Sequence, residues 1–366
     1  MTWRILHTEW SDGWGGQERR IVAEMAGLQA RGHRLWLATR PHAAIAAKAR
    51  EAGIEVLTLP FSGKLDLGTI LPLARLIRQE RVDVVNTHSG IDSWVGAFAA
   101  RLGGCHLVRT RHLNLPLHRR WYNFVHYLAD RVVTCGETMR HNLIDNCGFP
   151  ASQVASIPTG VDLSRFNPVH ERTQVRWDLG LAPDTYVVLM VGVIRAVKRH
   201  EVALRAFARL RQEIPSAQLL LAGDGPMRGD MEALAARLGL GDSVRFLGHR
   251  DDVPDLMGAA DCLLLTSRSE GVPQVLTQGL QCGLPVVATA VGGVPEVILA
   301  EQTGLLVAAE DIDGVAAALA RIHGDSLLAA RLVAAGRRHV AEHFSLEAML
   351  DATEKLYADI QGEGRR

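Results

Sequence analysis

Short apolar runs alternate with segments of helical periodicity along almost the whole chain of 366 residues. Most of the runs are apolar at every position, which is typical of strands that are covered on both faces. A strand, a helix and a further strand in succession form a crossover connection, so the alternation predicts the α/β class with parallel sheets. The expected strands are Arg4–His7, Leu35–Ala38, Ile54–Leu57, Val82–Asn86, His106–Thr110, Val132–Cys135 and Val154–Ile157, then Val187–Val193, Ala217–Leu221, Val244–Leu247, Cys262–Thr266, Val286–Ala288 and Leu305–Val307. Helices are expected near 17–31, 68–80, 92–102, 117–129 and 137–146, and then near 200–213, 227–238, 272–282, 293–300, 312–322 and 345–360.

Pro158–Pro168 interrupts this alternation with two prolines, a glycine and polar residues, a composition typical of a linker. The chain is also longer than one domain of roughly 150 residues. We therefore expect a first Rossmann-like parallel-sheet domain over residues 1–167 and a second over residues 168–344, facing each other across a cleft. The last helix, within residues 345–366, is expected to cross back to the first domain.

Composition excludes several classes of protein. With 48% hydrophobic and 22% charged residues, the chain has the values of a globular protein rather than of a disordered or coiled-coil chain. No apolar run approaches the ~20 residues that a membrane-spanning helix needs, and the N-terminus lacks the pattern of a signal peptide. The five cysteines form no C-x-x-C pair, so neither a disulfide framework nor a zinc site is expected. A cytoplasmic location is therefore predicted.

The net charge of zero conceals an uneven distribution. The first 168 residues contain 20 basic and 14 acidic residues, a balance of +6, and the remainder contains 20 and 26, a balance of −6. Either the first half meets an anionic partner or surface, or the two domains have drifted apart in composition.

Two motifs in the first half follow predicted strands. Gly15 and Gly16 lie in the turn W-S-D-G-W-G-G-Q-E, where glycine lets the backbone approach a ligand and the next helix start favours negative charge. The spacing is not G-x-G-x-x-G, so the turn is either structural or a ligand loop of another kind. His88 follows a strand in D-V-V-N-T-H-S-G, at the sheet edge where α/β proteins bind ligands. It either bonds a substrate or caps a loop.

Similar motifs follow the strands of the second half. Arg195 and Lys198 lie in V-G-V-I-R-A-V-K-R-H, and cations at a helix start call for a nearby anion such as a diphosphate, unless they are simply solvated. Gly223, Gly225 and Pro226 form a G-D-G-P turn that is either a tight turn or a ligand loop, with Pro226 suited to a first helical turn.

The most informative stretch is S-R-S-E-G-V-P-Q-V-L-T-Q-G, which contains Glu270, Gly271 and Gln278. A strand ends in a carboxylate that can accept from two sugar hydroxyls, Gly271 permits an unusual backbone angle, and a helix start offers N–H groups to a phosphate. Gln278 lies two helical turns further on, where it either faces the ligand or is buried against backbone. The pair Asp311 and Asp313 is explained by helix capping, and no metal site is expected.

These motifs resemble the retaining nucleotide-sugar glycosyltransferases of family 4, which have the GT-B fold. The resemblance covers nearly the whole chain in the expected order, including I-P-T-G-V-D, L-A-G-D-G-P, F-L-G, S-R-S-E-G and C-G-L-P-V-V-A-T. The opening H-T-E-W-S-D-G-W-G-G-Q-E-R-R most resembles the branch that builds bacterial lipopolysaccharide and other surface glycans. The resemblance implies glycosyl transfer, with the nucleotide sugar held mainly by the second domain.

The resemblance also implies roles for individual residues. Glu270 corresponds to the carboxylate that contacts the donor sugar, His88 to a histidine near the reacting centre, and Gly16 to the loop that approaches the phosphates. His249 and Arg250 are expected near the base, and backbone N–H groups of Val272–Gln274 are expected beside Glu270. The donor-binding set implied is Gly15, Gly16, Arg195, Lys198, Gly223, Gly225, Pro226, His249, Arg250, Gly271, Val272, Pro273, Gln274 and Gln278.

This chain departs from the family pattern at two positions. Gln278 stands where a second carboxylate binds ribose, and Val193 stands where the arginine after the strand glycine is usual. Front-face attack is the expected route, because no second strand-end carboxylate is available as a nucleophile. No metal or cofactor is expected to be obligatory, since cations and helix starts can stabilise the leaving diphosphate.

The expected partners are a UDP-, GDP- or ADP-sugar and a glycan or glycolipid acceptor, without nucleic acid. An anionic membrane surface is a further expected partner, because residues 101–120 carry many cations and no acid. Arg109, Arg111, Arg119 and Arg120 are assigned to the acceptor or membrane side, on the inner face of the cytoplasmic membrane. The aromatic residues that follow either join this surface or pack into the core. A nucleotide-sugar epimerase and an inactive glycan-binding protein are the alternative functions.

Overall fold

The computed structural model describes residues 2–113, 117, 121–167 and 170–363. Thirteen strands are present in the described residues: β1 (Arg4–Glu9), β2 (Arg34–Thr39), β3 (Glu55–Thr58), β4 (Val84–Thr87), β5 (His106–Arg111), β6 (Arg131–Thr134), β7 (Val154–Ser156), β8 (Val187–Val191), β9 (Gln218–Ala222), β10 (Val244–Gly248), β11 (Cys262–Leu265), β12 (Val286–Thr289) and β13 (Leu305–Val307).

The α-helices that accompany these strands are α1 (Gly16–Ala30), α2 (Ala44–Glu51), α3 (Leu67–Glu80), α4 (Gly90–Gly103), α5 (Glu137–Asp145), α6 (Arg172–Asp178), α7 (His200–Glu213), α8 (Arg228–Arg237), α9 (Val253–Ala259), α10 (Gln274–Gln281), α11 (Val294–Val297), α12 (Ile312–Gly324), α13 (Ser326–His343) and α14 (Leu346–Glu363).

The chain divides into two compact units. The first contains residues Met1–Gly160 together with Leu346–Arg366, and the second contains Val161–Ser345. The sequence boundary was expected at 167, within the same linker. Helix α14 belongs to the first unit, where Tyr357 is buried against Trp3 with ring centroids 6.1 Å apart and Arg31 forms ion pairs with Glu347, Asp351 and Glu354.

The first unit contains a seven-stranded parallel sheet in the order β3-β2-β1-β4-β5-β6-β7. Strands β1 and β4 are neighbours, and Thr8 pairs with Thr87 at their carboxyl ends. Strands β2 and β3 are added on one side of β1, and β4 to β7 are added on the other side. The strand order therefore reverses between β1 and β4. A parallel sheet leaves a crevice beyond the strands where the order reverses, and ligands bind there.

The second unit contains a six-stranded parallel sheet in the order β10-β9-β8-β11-β12-β13. Its strand order reverses between β8 and β11, where Val188 pairs with Cys262 and Leu189 with Leu263. The strands are buried, as their continuous apolar sequences predict, because apolar side chains cover both faces of the sheet. The α/β class with two parallel-sheet units is thus confirmed.

The structure also contains helices that the sequence pattern did not indicate: α2, α6, α9 and α13. Helix α13 buries Leu328, Leu332, Gly336 and Val340, and the glycine on this face weakened the apolar signal. The segment expected as a helix over 117–129 contains instead a 3-10 helix at Trp121–Tyr127.

Candidate active site

The strand order brings Lys198 and Glu270 together at the point where the second sheet reverses. Lys198 follows β8 and Glu270 follows β11, and the Lys198 Nζ donates to Glu270 Oε1 at 2.6 Å. Ser267 Oγ donates to the same oxygen at 2.5 Å. Both members of the ion pair are largely buried, with side-chain exposures of 14% and 12%. The structure therefore places a cation and a carboxylate side by side where a ligand of this sheet would bind.

Hydrogen bonds from two threonine hydroxyls and one backbone N–H hold the loops that carry these two side chains. Thr266 Oγ1 lies 3.1 Å from the Lys198 carbonyl oxygen and 3.0 Å from that of Arg199, so its one proton bonds to either, and the Arg268 N–H donates to the Val197 carbonyl at 2.8 Å. Thr289 Oγ1 donates to the Ser267 carbonyl at 2.6 Å. The loops after β8, β11 and β12 thus form one hydrogen-bonded assembly, which positions Lys198 against Glu270.

Gly292 packs directly beneath Glu270. It has φ of +53°, and a Cβ at this residue would lie 1.9 Å from the Glu270 carbonyl oxygen. At Gly293 a Cβ would lie 2.3 Å from the Gly271 carbonyl oxygen. The unusual backbone angle expected at Gly271 is absent, since a Cβ there would meet nothing within 4 Å and its φ is not positive. That prediction was wrong, and the close approach depends on the glycines of the neighbouring loop.

The turn containing Gly223 and Gly225 packs against the loop after β8. A Cβ at Gly223, where φ is +145°, would lie 2.0 Å from the Gly192 carbonyl oxygen, and one at Gly225 would lie 2.4 Å from the Ile194 carbonyl oxygen. The Ile194 N–H donates to the Asp224 carbonyl at 2.9 Å. These two positions therefore require glycine for the packing of one loop against the other, independently of any ligand. Pro226 lies in the turn before α8, which starts at Arg228, and not in its first helical turn.

The start of α10 lies beside Glu270. Pro273 is its N-cap residue and is buried. Proline has no N–H, so within the segment Val272–Gln274 only Val272 and Gln274 have backbone donors, which corrects the expectation for Pro273. Gln278 is half-buried one helical turn after Gln274.

The remaining predicted donor-side residues are more exposed. Arg195 is exposed beyond the end of β8. His249 is exposed, and its Nε2 lies 3.6 Å from Asp251 Oδ1. Arg250 pairs with Asp252, its Nε donating to Oδ1 at 2.7 Å, and this carboxylate raises the arginine pKa. The Arg250 side chain is thus engaged within its own loop.

In the first unit, His88 is the centre of a row of three imidazoles, of which His7 and His88 are buried and His112 is half-buried. Its Nε2 lies 2.9 Å from His7 Nδ1, and its Nδ1 lies 3.0 Å from His112 Nε2. His112 Nδ1 lies 3.6 Å from the sulfur of Cys135, which also accepts from Arg20 at 3.3 Å. We call His7, His88 and His112 the histidine row.

The histidine row is uncharged at neutral pH. Burial lowers the pKa of His7 to about 3 and, together with neighbouring positive groups, holds the pKa values of His88 and His112 well below the usual value. A neutral imidazole has one N–H and one bare nitrogen, so the tautomer of any one ring fixes the other two through these contacts. The row can therefore orient hydrogen bonds without adding charge.

The glycine turn Trp10–Gly16, hereafter the glycine loop, connects β1 to α1. The N–H of Gly15 donates to Glu18 Oε2 at 2.7 Å, closing the start of the helix. Gly15 and Gly16 are exposed. Glu9 and Asp92 are both fully buried. Glu9 accepts from the N–H of Ser11 in the glycine loop, and Asp92 accepts from the N–H of Ser89 at the start of α4.

Two family profiles match the chain in succession. The profile "Glycosyltransferase Family 4" matches residues 14–165, and "Glycosyl transferases group 1" matches residues 171–339. The D-inositol 3-phosphate glycosyltransferase of Salinispora arenicola is 32% identical over 308 residues, which cover 76% of this chain and 68% of the relative. The chain belongs to glycosyltransferase family 4.

Further comparisons agree with this assignment. The Escherichia coli UDP-Gal:alpha-D-GlcNAc-diphosphoundecaprenol alpha-1,3-galactosyltransferase is 26% identical over 311 residues, covering 81% of this chain and 80% of the relative. Among solved structures, Anabaena HepE in complex with UDP-glucose superposes with a TM-score of 0.82 at 21% identity, covering 97% of this chain and 99% of the other. The fold is thus that of the GT-B glycosyltransferases, and the chain is an enzyme of glycosyl transfer.

The arginines assigned to the acceptor or membrane side of this glycosyltransferase differ in their surroundings. Arg109 and Arg111 are 8% exposed, so they do not offer charge to a membrane surface, and that part of the prediction is corrected. Both lie on β5, which is buried from Leu107 to Arg111. Arg119 and Arg120 lie outside the described residues.

Sequence reasoning missed the residues that surround His88. Glu9 ends β1, His112 follows β5, and Asp92 completes an S-x-x-D capping box with Ser89 at the start of α4. The strand-end positions of Glu9 and His112 and the capping-box spacing were readable signals. Within the described ranges no group of three His, Cys, Asp or Glu side chains is arranged to hold a metal. In those ranges, too, every helix is too short or too polar to cross a membrane.

Proposed function

We propose that this glycosyltransferase transfers a sugar, with retention of configuration, from a nucleotide sugar to a glycan or glycolipid acceptor in the biosynthesis of a bacterial surface glycan such as lipopolysaccharide. The observation that carries the donor assignment is the contact of Lys198 with Glu270 where the second sheet reverses. A cation compensates a diphosphate, and a carboxylate accepts from sugar hydroxyls. The UDP-glucose in the HepE complex is compatible with this donor class.

In the proposed reaction, Lys198 and the first N–H groups of α10 stabilise charge on the leaving diphosphate. The bond between the anomeric carbon and the phosphate oxygen breaks, and its electron pair stays on that oxygen. The acceptor oxygen attacks from the same face, and its proton passes to the leaving phosphate oxygen. Glu270 orients the sugar through its hydroxyls. His88 has both ring nitrogens in contact with His7 and His112, so it would act through the histidine row and not by a hydrogen bond of its own to the sugar. No metal or cofactor is required for these steps.

The acceptor and location are also proposals. The glycan branch is supported by the likeness of the opening sequence to lipopolysaccharide enzymes and by the E. coli relative, whose name specifies a diphosphoundecaprenol-linked acceptor. A lipid-linked acceptor would be reached at the inner face of the cytoplasmic membrane. Arg119 and Arg120 are the candidate contacts with anionic lipid there.

A donor screen with matched variants tests the proposal. The purified enzyme is mixed with UDP-glucose, UDP-galactose, GDP-mannose or ADP-glucose, and thermal stability and donor hydrolysis are measured. A donor at 100 times its Kd should stabilise the protein by ~2.7 kcal/mol. Glu270→Gln should reduce hydrolysis about 10- to 100-fold, since a hydrogen bond to a charged group contributes about 1.5–3 kcal/mol, whereas the exposed control Glu213→Gln should behave as the parent.

Conversion of the donor into an epimer without transfer would contradict the proposal. Equal activity of the Glu270→Gln variant and the parent would show that Glu270 does not contact the donor sugar.

A further inference from the structure

Two hydrogen-bond donors meet at one oxygen of Glu270. Lys198 Nζ donates to Oε1 at 2.6 Å, and Ser267 Oγ donates to the same atom at 2.5 Å. A carboxylate oxygen has about two lone-pair sites, so Oε1 has no capacity for a third donor. Within the described part of the chain, these are the two donors to this carboxylate, and both bond to Oε1. Oε2 is therefore the oxygen that can still accept from a ligand.

The hydroxyl of Ser267 is built into the structure. Ser267 follows β11 and is fully buried. Its carbonyl accepts from Oγ1 of Thr289, a buried residue at the end of β12, at 2.6 Å. A buried hydroxyl cannot exchange its partner for solvent, so the carboxylate of Glu270 is the acceptor that satisfies it. The direction from which Ser267 meets Glu270 is thus fixed by two strand ends.

The lysine by itself would not define the orientation of this carboxylate. An ammonium group is a compact point charge with three rotatable donors on a flexible stem. The terminal torsion of a glutamate is broad, so a carboxylate beside a single ammonium group can rotate until both of its oxygens face the cation. Ser267 opposes this rotation because it follows β11, whereas Lys198 follows β8, and the two donors hold Oε1 from different loops.

We propose that Ser267 is a positioning residue, which holds the carboxylate of Glu270 so that Oε2 is the oxygen presented to the donor sugar. The inference rests on the proposed function, in which Glu270 orients the sugar through its hydroxyls. An ionised carboxylate only accepts hydrogen bonds. The sugar must therefore offer a hydroxyl or an N–H group to Oε2. A sugar with fluorine or a methoxy group at that position, which cannot donate, would bind poorly.

The same two donors determine the effect of Glu270→Gln. Lys198 and Ser267 both require an acceptor, so the carbonyl oxygen of the new amide would meet them, and its NH2 group would take the place of Oε2. The variant would then present a donor to a sugar group that is itself a donor. Positioning by Ser267 has no value in that variant, because the accepting oxygen is gone.

Hydrolysis of UDP-glucose at saturating concentration tests the proposal in the parent, Ser267→Ala, Glu270→Gln and the double variant. Ser267→Ala should lower the rate about tenfold in the parent, because a charge-assisted hydrogen bond is lost. In the Glu270→Gln background the same change should lower it by less than about twofold, because residues that act through one another are not additive. Ser269→Ala, at an exposed serine of the same loop, should match the parent. Equal losses in both backgrounds would show a structural role alone and overturn the proposal.

Crystal structures of the parent and Ser267→Ala, both without ligand, test the positioning independently of any donor. The Glu270 carboxylate should have one orientation in the parent. In Ser267→Ala it should turn both oxygens towards Lys198 or occupy several orientations, and an unchanged carboxylate there would overturn the proposal. A parent that neither hydrolyses UDP-glucose nor binds UDP in calorimetry would count against UDP-glucose as the donor, while the two crystal structures would still decide the role of Ser267.

Discussion

The ammonium group of Lys198 is held in position by an ion pair with the carboxylate of Glu270. Its ammonium group is largely buried against Glu270, and both side chains give up rotamer freedom when the protein folds rather than when a ligand binds. Such an arrangement lowers the ordering cost of binding, since the groups that would meet phosphate and sugar are already oriented. Because of this contact, the orientation of each of the two side chains depends on the presence of the other.

Lys198→Ala is expected to weaken binding of a nucleoside diphosphate as well as of the complete donor. Removing a charged hydrogen bond to phosphate costs about 1.5–3 kcal/mol, which corresponds to roughly 10- to 100-fold in Kd. Calorimetry with UDP, GDP and ADP measures the change, with Lys355→Ala as an exposed control. An unaltered diphosphate affinity together with poor donor binding would place Lys198 at the sugar instead.

The sequence predicted Lys198 and Glu270 as site residues but not their contact. Each stands at a strand end, which a single-chain pattern can show. Their adjacency arises because β8 pairs with β11 after the chain has passed through β9 and β10, and no local pattern records that strand order. Glu9 also stands at a strand end, but only the fold shows that Ser89 and Asp92 lie beside it.

At the scale of elements, loops after four strands of the second sheet interlock through backbone. The turn at Gly223 fits against Gly192, and Gly292 fits against Glu270, in both cases with no room for a side chain. These contacts explain why glycines recur at these strand ends independently of ligand binding. The unusual backbone angle was expected at Gly271, which adjoins Glu270, whereas the positive φ and the close approach occur at Gly292, 21 residues further along.

Gly292→Ala is expected to displace the segment that carries Glu270. A positive φ in a residue with a Cβ costs about 1 kcal/mol, and the added methyl carbon would overlap the Glu270 carbonyl oxygen. Donor hydrolysis should fall at least tenfold, and thermal unfolding should show a lower midpoint. Gly229→Ala, at a helical glycine with open space around it, should keep full activity. Parent-like hydrolysis in Gly292→Ala would mean that the loop after β12 does not position Glu270.

On the scale of the whole molecule, the histidine row makes the first unit sensitive to acid. Unfolded histidines take up protons below pH 6.5, whereas the folded His7 stays neutral down to about pH 3 because it is buried. The unfolded state therefore binds more protons as the pH falls from 6.5 towards 3, and the free energy of unfolding decreases across this window. Each such histidine contributes a slope of about 1.4 kcal/mol per pH unit once its unfolded form is fully protonated.

Replacing His7 by Gln should make this acid loss shallower by about 1.4 kcal/mol per pH unit between pH 5.5 and 4. Denaturant unfolding at several pH values gives the slope, which is informative even if the variant is less stable at pH 7. His141→Gln, at an exposed histidine with 64% side-chain exposure, should retain the parental slope. Equal slopes in His7→Gln and the parent would show that His7 is charged in the folded state or neutral in the unfolded state.

The return of α14 to the first unit has a consequence for synthesis on the ribosome. The second unit is one uninterrupted segment whose ends meet, because the N–H of Val161 donates to the Phe344 carbonyl at 2.7 Å and Val161 bridges to Ser345. The first unit lacks Tyr357 and the carboxylates that pair with Arg31 until translation has passed the entire second unit. The second unit emerges later from the ribosome, yet it is the first to have all of its residues available for folding. The first unit begins to emerge earlier but lacks part of its packing until α14 has been synthesised.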